Sequence, residues 1–401
     1  MPGPMEGVKV IEMGVWIAGP AAGCILSDWG ADVVKIEPPG IGDPGRLFKR
    51  ILGADLPFNP PFEMDNRSKR SIVIDLSQPD GREIALELID AADVFLSNVR
   101  MAALARLGLD HPTLLARNPR LIYAAITGYG LHGEDADRAA YDIAAFWARA
   151  GVAAMLTSPG QSPPFQRGGM GDHGVALSAA AGISAALYAR EKTGKGQLVS
   201  TSLLRQGLYT LSFDLSLSLR LGVPLRVADR RTMGNPVINS YQDSEGKWFW
   251  LVGLDGERHW PSLARAVGHP EWIDDPRFEN SAARYARAAE LIAMLDEIFA
   301  SRTRDEWGRI FDAEEELWWA PVQELDEVLA DPQVHDSGGF VEVPDGPTTT
   351  TFPATPVDFA GVPCVARWMA PESGQHSDEV LAELGRSEAE IAALRERRVI
   401  A

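Results

Sequence analysis

The chain has 401 residues, 38 Lys+Arg against 56 Asp+Glu and a formal charge of −18, with 45% apolar and 23% charged residues. That usage is ordinary for a globular protein, and the length suggests two or three domains. The acidic balance argues against nucleic acid, whose binding draws on a cationic face, and against a polybasic membrane anchor; a local basic patch could still hold an anionic ligand.

The first 130 residues alternate between two hydrophobic periods. Val8–Met13 reads as a strand, and a turn bearing glycine and proline leads to a short helix around Ala21–Trp29. Asp32–Glu37 is a second strand, ended by Pro38-Pro39-Gly40, and Ser71–Leu76 is a third, followed by an amphipathic helix over Asp80–Asp90. Asp93–Ser97 and Leu121–Ile126 supply two more strands. Near-continuous apolar strands separated by helices predict a parallel sheet covered on both faces, an α/β fold. The Pro/Asn-rich span Gly40–Lys69 reads as a long loop at the carboxyl ends of the strands, where such sheets bind ligands. Arg46, Lys49, Arg50, Arg67, Lys69 and Arg70 lie in or beside it.

Residues 151–170 are loop-like, and a small-residue helix is expected over Asp172–Arg190, then a leucine-patterned one over Leu204–Leu221. Near Gly222 the texture changes. Lys247–Val252 is an aromatic strand, and Ala282–Phe299 and Asp305–Phe311 are amphipathic helices. A first domain is therefore expected over 1–224 and a second over 225–330, with Asp331-Pro332 as its exit. The tail, 331–401, carries a strand at Phe340–Val343 and a helix over Ser377–Arg397 with no evident place in a sheet of their own.

Cys24 and Cys364 are too few for a disulfide framework or a four-ligand zinc site, and seven histidines without an H-x3-H pair predict no metal site. No signal peptide is visible, and the longest small-apolar stretch, Val175–Ala189, is too short to span a bilayer. A cytoplasmic protein is expected.

Several constellations could carry chemistry. Gly14, Gly19 and Gly23 follow the first strand and Glu37 ends the second, which invites a dinucleotide reading. Their spacing is G-x4-G-x3-G, however, and not the G-x-G-x-x-G of that fingerprint. The glycines either free N–H groups for a phosphate or carboxylate, or serve tight turn packing. In Gly168-Gly-Met-Gly-Asp172-His-Gly174, Asp172 stands where an N-cap is expected, and a cap is its plain reading. Glycines on both sides also clear space for a bulky ligand, which gives Asp172 a second, less common reading: a nucleophile on an activated acyl group. His173 could be a general base or structural. No G-x-S-x-G elbow occurs, and Cys24 lies in an apolar helix. Trp248, Trp250, Trp318 and Trp319 read as core packing before a ligand wall, and Asp312–Glu316 as a solvated helix face.

At the level of whole motifs the chain resembles the class III CoA-transferases, the formyl-CoA transferase and carnitine CoA-transferase family. The likeness runs through Gly19-Pro20, Leu26–Gly40, Gly42-Asp43-Pro44, Asn66–Ser71, Asp93–Asn98, Asn118–Tyr123 and Gly128-Tyr-Gly130. It continues through Gly171-Asp172, Thr193–Gln197, Asp275–Phe278, Ala320-Pro-Val322 and Asp331-Pro-Gln333, in order over nearly the whole chain.

The resemblance implies a Rossmann-like large domain built from both ends of the chain, a smaller α+β domain, and an interlocked homodimer. It implies that Asp172 attacks an acyl-CoA thioester and passes through an enzyme-bound aspartyl-CoA thioester. It further implies that CoA, a substrate and not a tightly bound cofactor, contacts Trp16, Ile17, Ala18, Glu37, Pro38, Arg70, Asn98, Val99 and Arg106. The adenosine would lie near Glu37–Pro39 and Asn98–Arg106, with the phosphates facing Arg67, Lys69 and Arg70. The same fold hosts α-methylacyl-CoA racemases, which carry a histidine in a Gly-His-Asp stretch; here that stretch reads Ala140-Tyr141-Asp142. A phenol is a far weaker base near neutrality than an imidazole, so the transferase reading gains over an isomerase, and Tyr141 becomes a hydrogen-bond donor. A non-catalytic CoA-binding protein is the third reading. Gly253–Arg258 stands where formyl-CoA transferases carry a tetraglycine loop, and Trp16-Ile17 is apolar where they often carry Gln. Those departures point away from an oxalate-like acceptor, toward a larger or more apolar acyl group.

Overall fold

The computed structural model describes residues 3–51, 56–362 and 365–401, so Cys364 lies outside the described residues. The chain divides into two compact units. One comprises Met1–Ala154, Pro164–Leu225 and His335–Ala401, and the other Met155–Pro163 and Arg226–Val334.

The first unit is built on six strands: β1 (Lys9–Met13), β2 (Asp32–Glu37), β3 (Arg70–Val73), β4 (Val94–Ser97), β5 (Ile122–Thr127) and β6 (Gln197–Ser202). They pair in parallel in the order β3-β2-β1-β4-β5-β6. Every residue of β3 and β4 is buried, so neither strand alternates between apolar and exposed polar positions. On one face the helices α1 (Ala18–Asp28) and α4 (Met170–Thr193) pack together; α1 is buried along its whole length, so its small residues serve close approach. On the other face α3 (Pro79–Asp90) contributes Ile84 and Leu88.

The tail also has a place on this sheet. Val380, Leu381, Ile391 and Leu394 join the second-face core, and Asp75 N–H donates to Val399 O at 2.8 Å. The expectation that these segments lack a home within their own chain is therefore corrected. Phe340–Asp345 pairs with Thr348–Pro353 as an antiparallel hairpin.

Local differences from the sequence reading have identifiable causes. The span Gly40–Lys69 is not bare loop: it holds a 3-10 turn at Pro44–Leu47, a short helix at Phe48–Ile51 and α2 (Pro60–Asn66), started by its prolines. The helix expected over Leu204–Leu221 is two, Leu203–Thr210 and Ser212–Leu221, and that over Ala282–Phe299 is interrupted at Arg287. The tail helix breaks at Gly385, whose φ is +86°, and restarts with Ser387 and Glu390 in a reciprocal cap.

In the second unit Ile238–Gln242, Trp248–Val252 and Trp319–Pro321 form an antiparallel sheet over Tyr241, Phe249, Phe299, Trp307 and Phe311. Trp248 and Trp250 lie on its exposed face. Asp312–Glu316 is a turn past the helix Arg304–Phe311, not a helix face; Glu314 pairs with Arg265 and Glu316 with Arg258.

Candidate active site

A buried ionic cluster lies under the turn from β1 to α1. Glu12 Oε1 lies 2.8 Å from Lys35 Nζ, and Glu12 Oε2 lies 2.7 Å from Lys69 Nζ. Lys35 also pairs with Asp43 at 2.9 Å and donates to Gly14 O. Burial drives the Glu12 carboxyl upward, yet the two ammonium groups overcome it and its pKa is lowered. A Cβ on Gly23 would come within 2.0 Å of Glu12 Oε2, so the glycine of α1 is explained by close approach. Asp43 Oδ1 then accepts from Trp16 N–H at 2.9 Å, while Asn98 Oδ1 accepts from Val15 N–H at 2.8 Å. Pinned from both sides, Trp16 adopts φ = +65°, a conformation costly for a bulky residue.

The basic residues expected to face phosphates are largely consumed by such pairs. Arg67 binds Asp28 at 2.7 Å with both side chains buried, and Lys69 is fully buried against Glu12. Arg70 is held by Asp32, Glu379 and Glu383. Glu37, expected beside an adenosine, accepts from Arg46, Ser71 Oγ and Asp43 N–H. Burial opposes its ionisation, but Arg46 and Lys35 bring its pKa down to about 2. These carboxylates and cations hold the loop together; none is free in this geometry.

Helix α4 begins at Gly169, whose φ is +91° and which makes no side-chain cap. Asp172 therefore lies inside the first turn and is not the cap. The capping carboxylate comes from 30 residues earlier: Asp142 Oδ2 accepts from Gly171 N–H at 2.9 Å and lies 3.4 Å from Asp172 N. A Cβ on Gly171 would meet Asp142 Oδ1 at 2.4 Å, which explains that glycine. A π-helical turn, Ile143–Arg149, follows Asp142. Asp172 is pushed to a pKa of about 7, first by burial and then by the Asp142 charge, with His173 opposing. His173 faces Asp65, Nε2 to Oδ1 3.1 Å, and its pKa is raised by that carboxylate against the effect of burial.

Asp172 opens on a cavity of about 380 Å3 at the carboxyl ends of β1, β4 and β5, where the strand order reverses. Trp16, Ala18, Asn98, Val99 and Tyr141 line it, so six residues singled out in the sequence meet there. The Tyr141 ring is 61% exposed and stands edge-on to Trp16 at 5.8 Å. Ile17, Glu37, Pro38, Arg70 and Arg106 do not line this cavity. Arg100, which sequence reasoning passed over, does; it is exposed and forms no ion pair among the described residues. Its position two residues after Asn98 was the available signal.

The raised Asp172 pKa has a thermodynamic consequence. Between about pH 4, near the unfolded carboxyl value, and about pH 7, the folded state binds more protons than the unfolded, so this group's contribution to stability falls as pH rises and is flat above. Thermal unfolding of Asp172→Asn against wild type should show an advantage for the variant that grows across that window. A difference independent of pH would contradict the half-buried, charge-crowded carboxyl.

Residues 5–377 match the family described as CoA-transferase family III. The chain is 31% identical over 400 residues to the (R)-2-hydroxy-4-methylpentanoate CoA-transferase of Clostridioides difficile, covering 99% of each. It is 33% identical to the cinnamoyl-CoA:phenyllactate CoA-transferase of Clostridium sporogenes, covering 97% of this chain and 95% of that one. Among solved structures, a mutant of Rv3272 from Mycobacterium tuberculosis superposes with a TM-score of 0.83 at 28% identity, over 95% of this chain and 99% of that one. With its cavity, its strand order and its match from end to end, the chain belongs to CoA-transferase family III.

Proposed function

We propose that the protein moves CoA from an acyl-CoA donor to a carboxylic acid through an aspartyl-CoA thioester on Asp172. The carrying observation is a half-buried carboxylate, free of any capping duty, on the wall of a cavity with Tyr141 and Asn98. In this reading Asp172 Oδ attacks the thioester carbonyl, the C–S bond breaks and CoA thiolate leaves a mixed anhydride. The thiolate then attacks the Asp172 carbonyl, releasing the donor acid and leaving the aspartyl thioester. The acceptor carboxylate displaces the thiolate to give a second anhydride, and thiolate attack on the acceptor carbonyl frees Asp172. Each carbonyl addition builds an oxyanion, for which the hydroxyl of Tyr141, an exposed residue on the cavity wall, is the candidate donor. The adenosine and phosphates pass the Asn98–Arg106 side, with Arg100 as the accessible cation. An imidazole base in place of Tyr141 would favour α-proton chemistry; this chain lacks it.

Asp172→Ala should abolish transfer while CoA binding persists, and Tyr141→Phe should slow it about ten- to a thousand-fold, the range for losing one stabilising donor. Wild type should wash no solvent deuterium into the α-position of a 2-methylacyl-CoA. Rapid exchange, lost in Tyr141→Phe, would replace the transferase by an isomerase.

The protein is further read as a cytoplasmic, interlocked homodimer. Buried Cys24 is a free thiol, as a reducing compartment favours. Ser212–Leu221 buries no residue within its own chain, and Phe213 and Leu219 are 76% and 83% exposed, an apolar face that a second copy would cover. Light scattering at micromolar concentration should give the dimer mass; a monomer would refute it.

A further inference from the structure

His173 and Asp65 take no part in the reaction above. They line a second cavity, of about 870 Å3. The two cavities share the β1–α1 turn: Trp16 and Ala18 line the first, and Ile17 between them lines the second. Asp172 lines the first chamber and the next residue, His173, lines the second.

The second chamber has an uneven chemistry. Phe58, Met64, Phe352 and Met369 give it apolar walls, and Phe58 is 52% exposed. Its charged groups are Glu63, Asp65, Asp345 and Glu372, with His173 the sole cationic candidate; no lysine or arginine lines it among the described residues. Asp65 is occupied by His173. Glu63 accepts from Asn59 N–H at 2.7 Å and Asp345 from Thr350 Oγ1 at 2.9 Å, which orients both carboxylates without neutralising them.

We propose that this chamber receives the tail of the acceptor acid and selects monocarboxylates with an apolar tail against dicarboxylates. The inference rests on the transferase reading. An acceptor must bring one carboxylate to the Asp172 thioester, and His173, paired with Asp65 at 3.1 Å, is the one basic side chain lining the chamber beside it among the described residues. An apolar tail then gains the aromatic and methionine walls. A distal carboxylate would instead lose water among three like charges with no cation to meet it. The tail of the substrate, and not its reacting end, thereby sets specificity.

The test uses two nearly isosteric acceptors, 4-methylpentanoate and succinate, which differ by an isopropyl group in place of a carboxylate. With one acyl-CoA donor, kcat/KM should favour 4-methylpentanoate at least about tenfold. Glu372→Lys, at an exposed position, should shift the ratio toward succinate about tenfold, and Phe58→Ala should lower use of 4-methylpentanoate more than use of succinate. A wild-type preference for succinate, equal use of both acids, or a ratio unmoved by both variants would overturn the chamber assignment. Transfer to no acid from any donor would instead overturn the transferase reading beneath it.

Discussion

One buried carboxylate, Glu12, holds the site together. It lies between Lys35 and Lys69, all three fully buried, and Lys35 passes the connection on to Asp43. Three charged side chains without water are costly to assemble, and removing any one strands its partner at about 3–5 kcal/mol. The return is geometric. Asp43 and Asn98 fix the amides of Trp16 and Val15, so the turn that divides the two cavities is set by charge pairs in the sheet below it. The basic loop residues that suggested phosphate binding belong largely to this internal framework.

Above that frame, Asp172 sits between opposed influences. Burial and the Asp142 carboxylate favour its protonated form, while His173 favours the anion. A carboxylate poised near neutrality suits a group that must attack as an anion and also leave a thioester or anhydride. Asp142 performs a second task by capping α4, which spares Asp172 from that duty. One side chain thus supports the helix and crowds the nucleophile.

Much of the fold was legible because buried parallel strands are written as apolar runs: Asp32–Glu37 is a strand over the same residues in sequence and structure. The edge strand Gln197–Ser202 was not, since half-exposed Ser and Thr residues leave no such run. The break at Gly385 was readable from the glycine and from Ser387 with Glu390, but the breaks at Leu211 and Arg287 carry no local signal. For the site, glycines around Asp172 marked a clearing, and Tyr141 was marked by resemblance. What the glycines faced was hidden, because Asp142 and Glu12 reach them only through the fold. The second chamber draws on 57–65, 168–173 and 345–372, segments that nothing in linear order connects.

The central claim is that Asp172 becomes covalently acylated. Incubation with an acyl-CoA the enzyme accepts, quenching with hydroxylamine and peptide mass analysis test it directly. A hydroxamate on the Asp172 peptide, absent without acyl-CoA, is the predicted result. A turning-over enzyme that yields no hydroxamate there, or yields it on another carboxylate, would contradict the account.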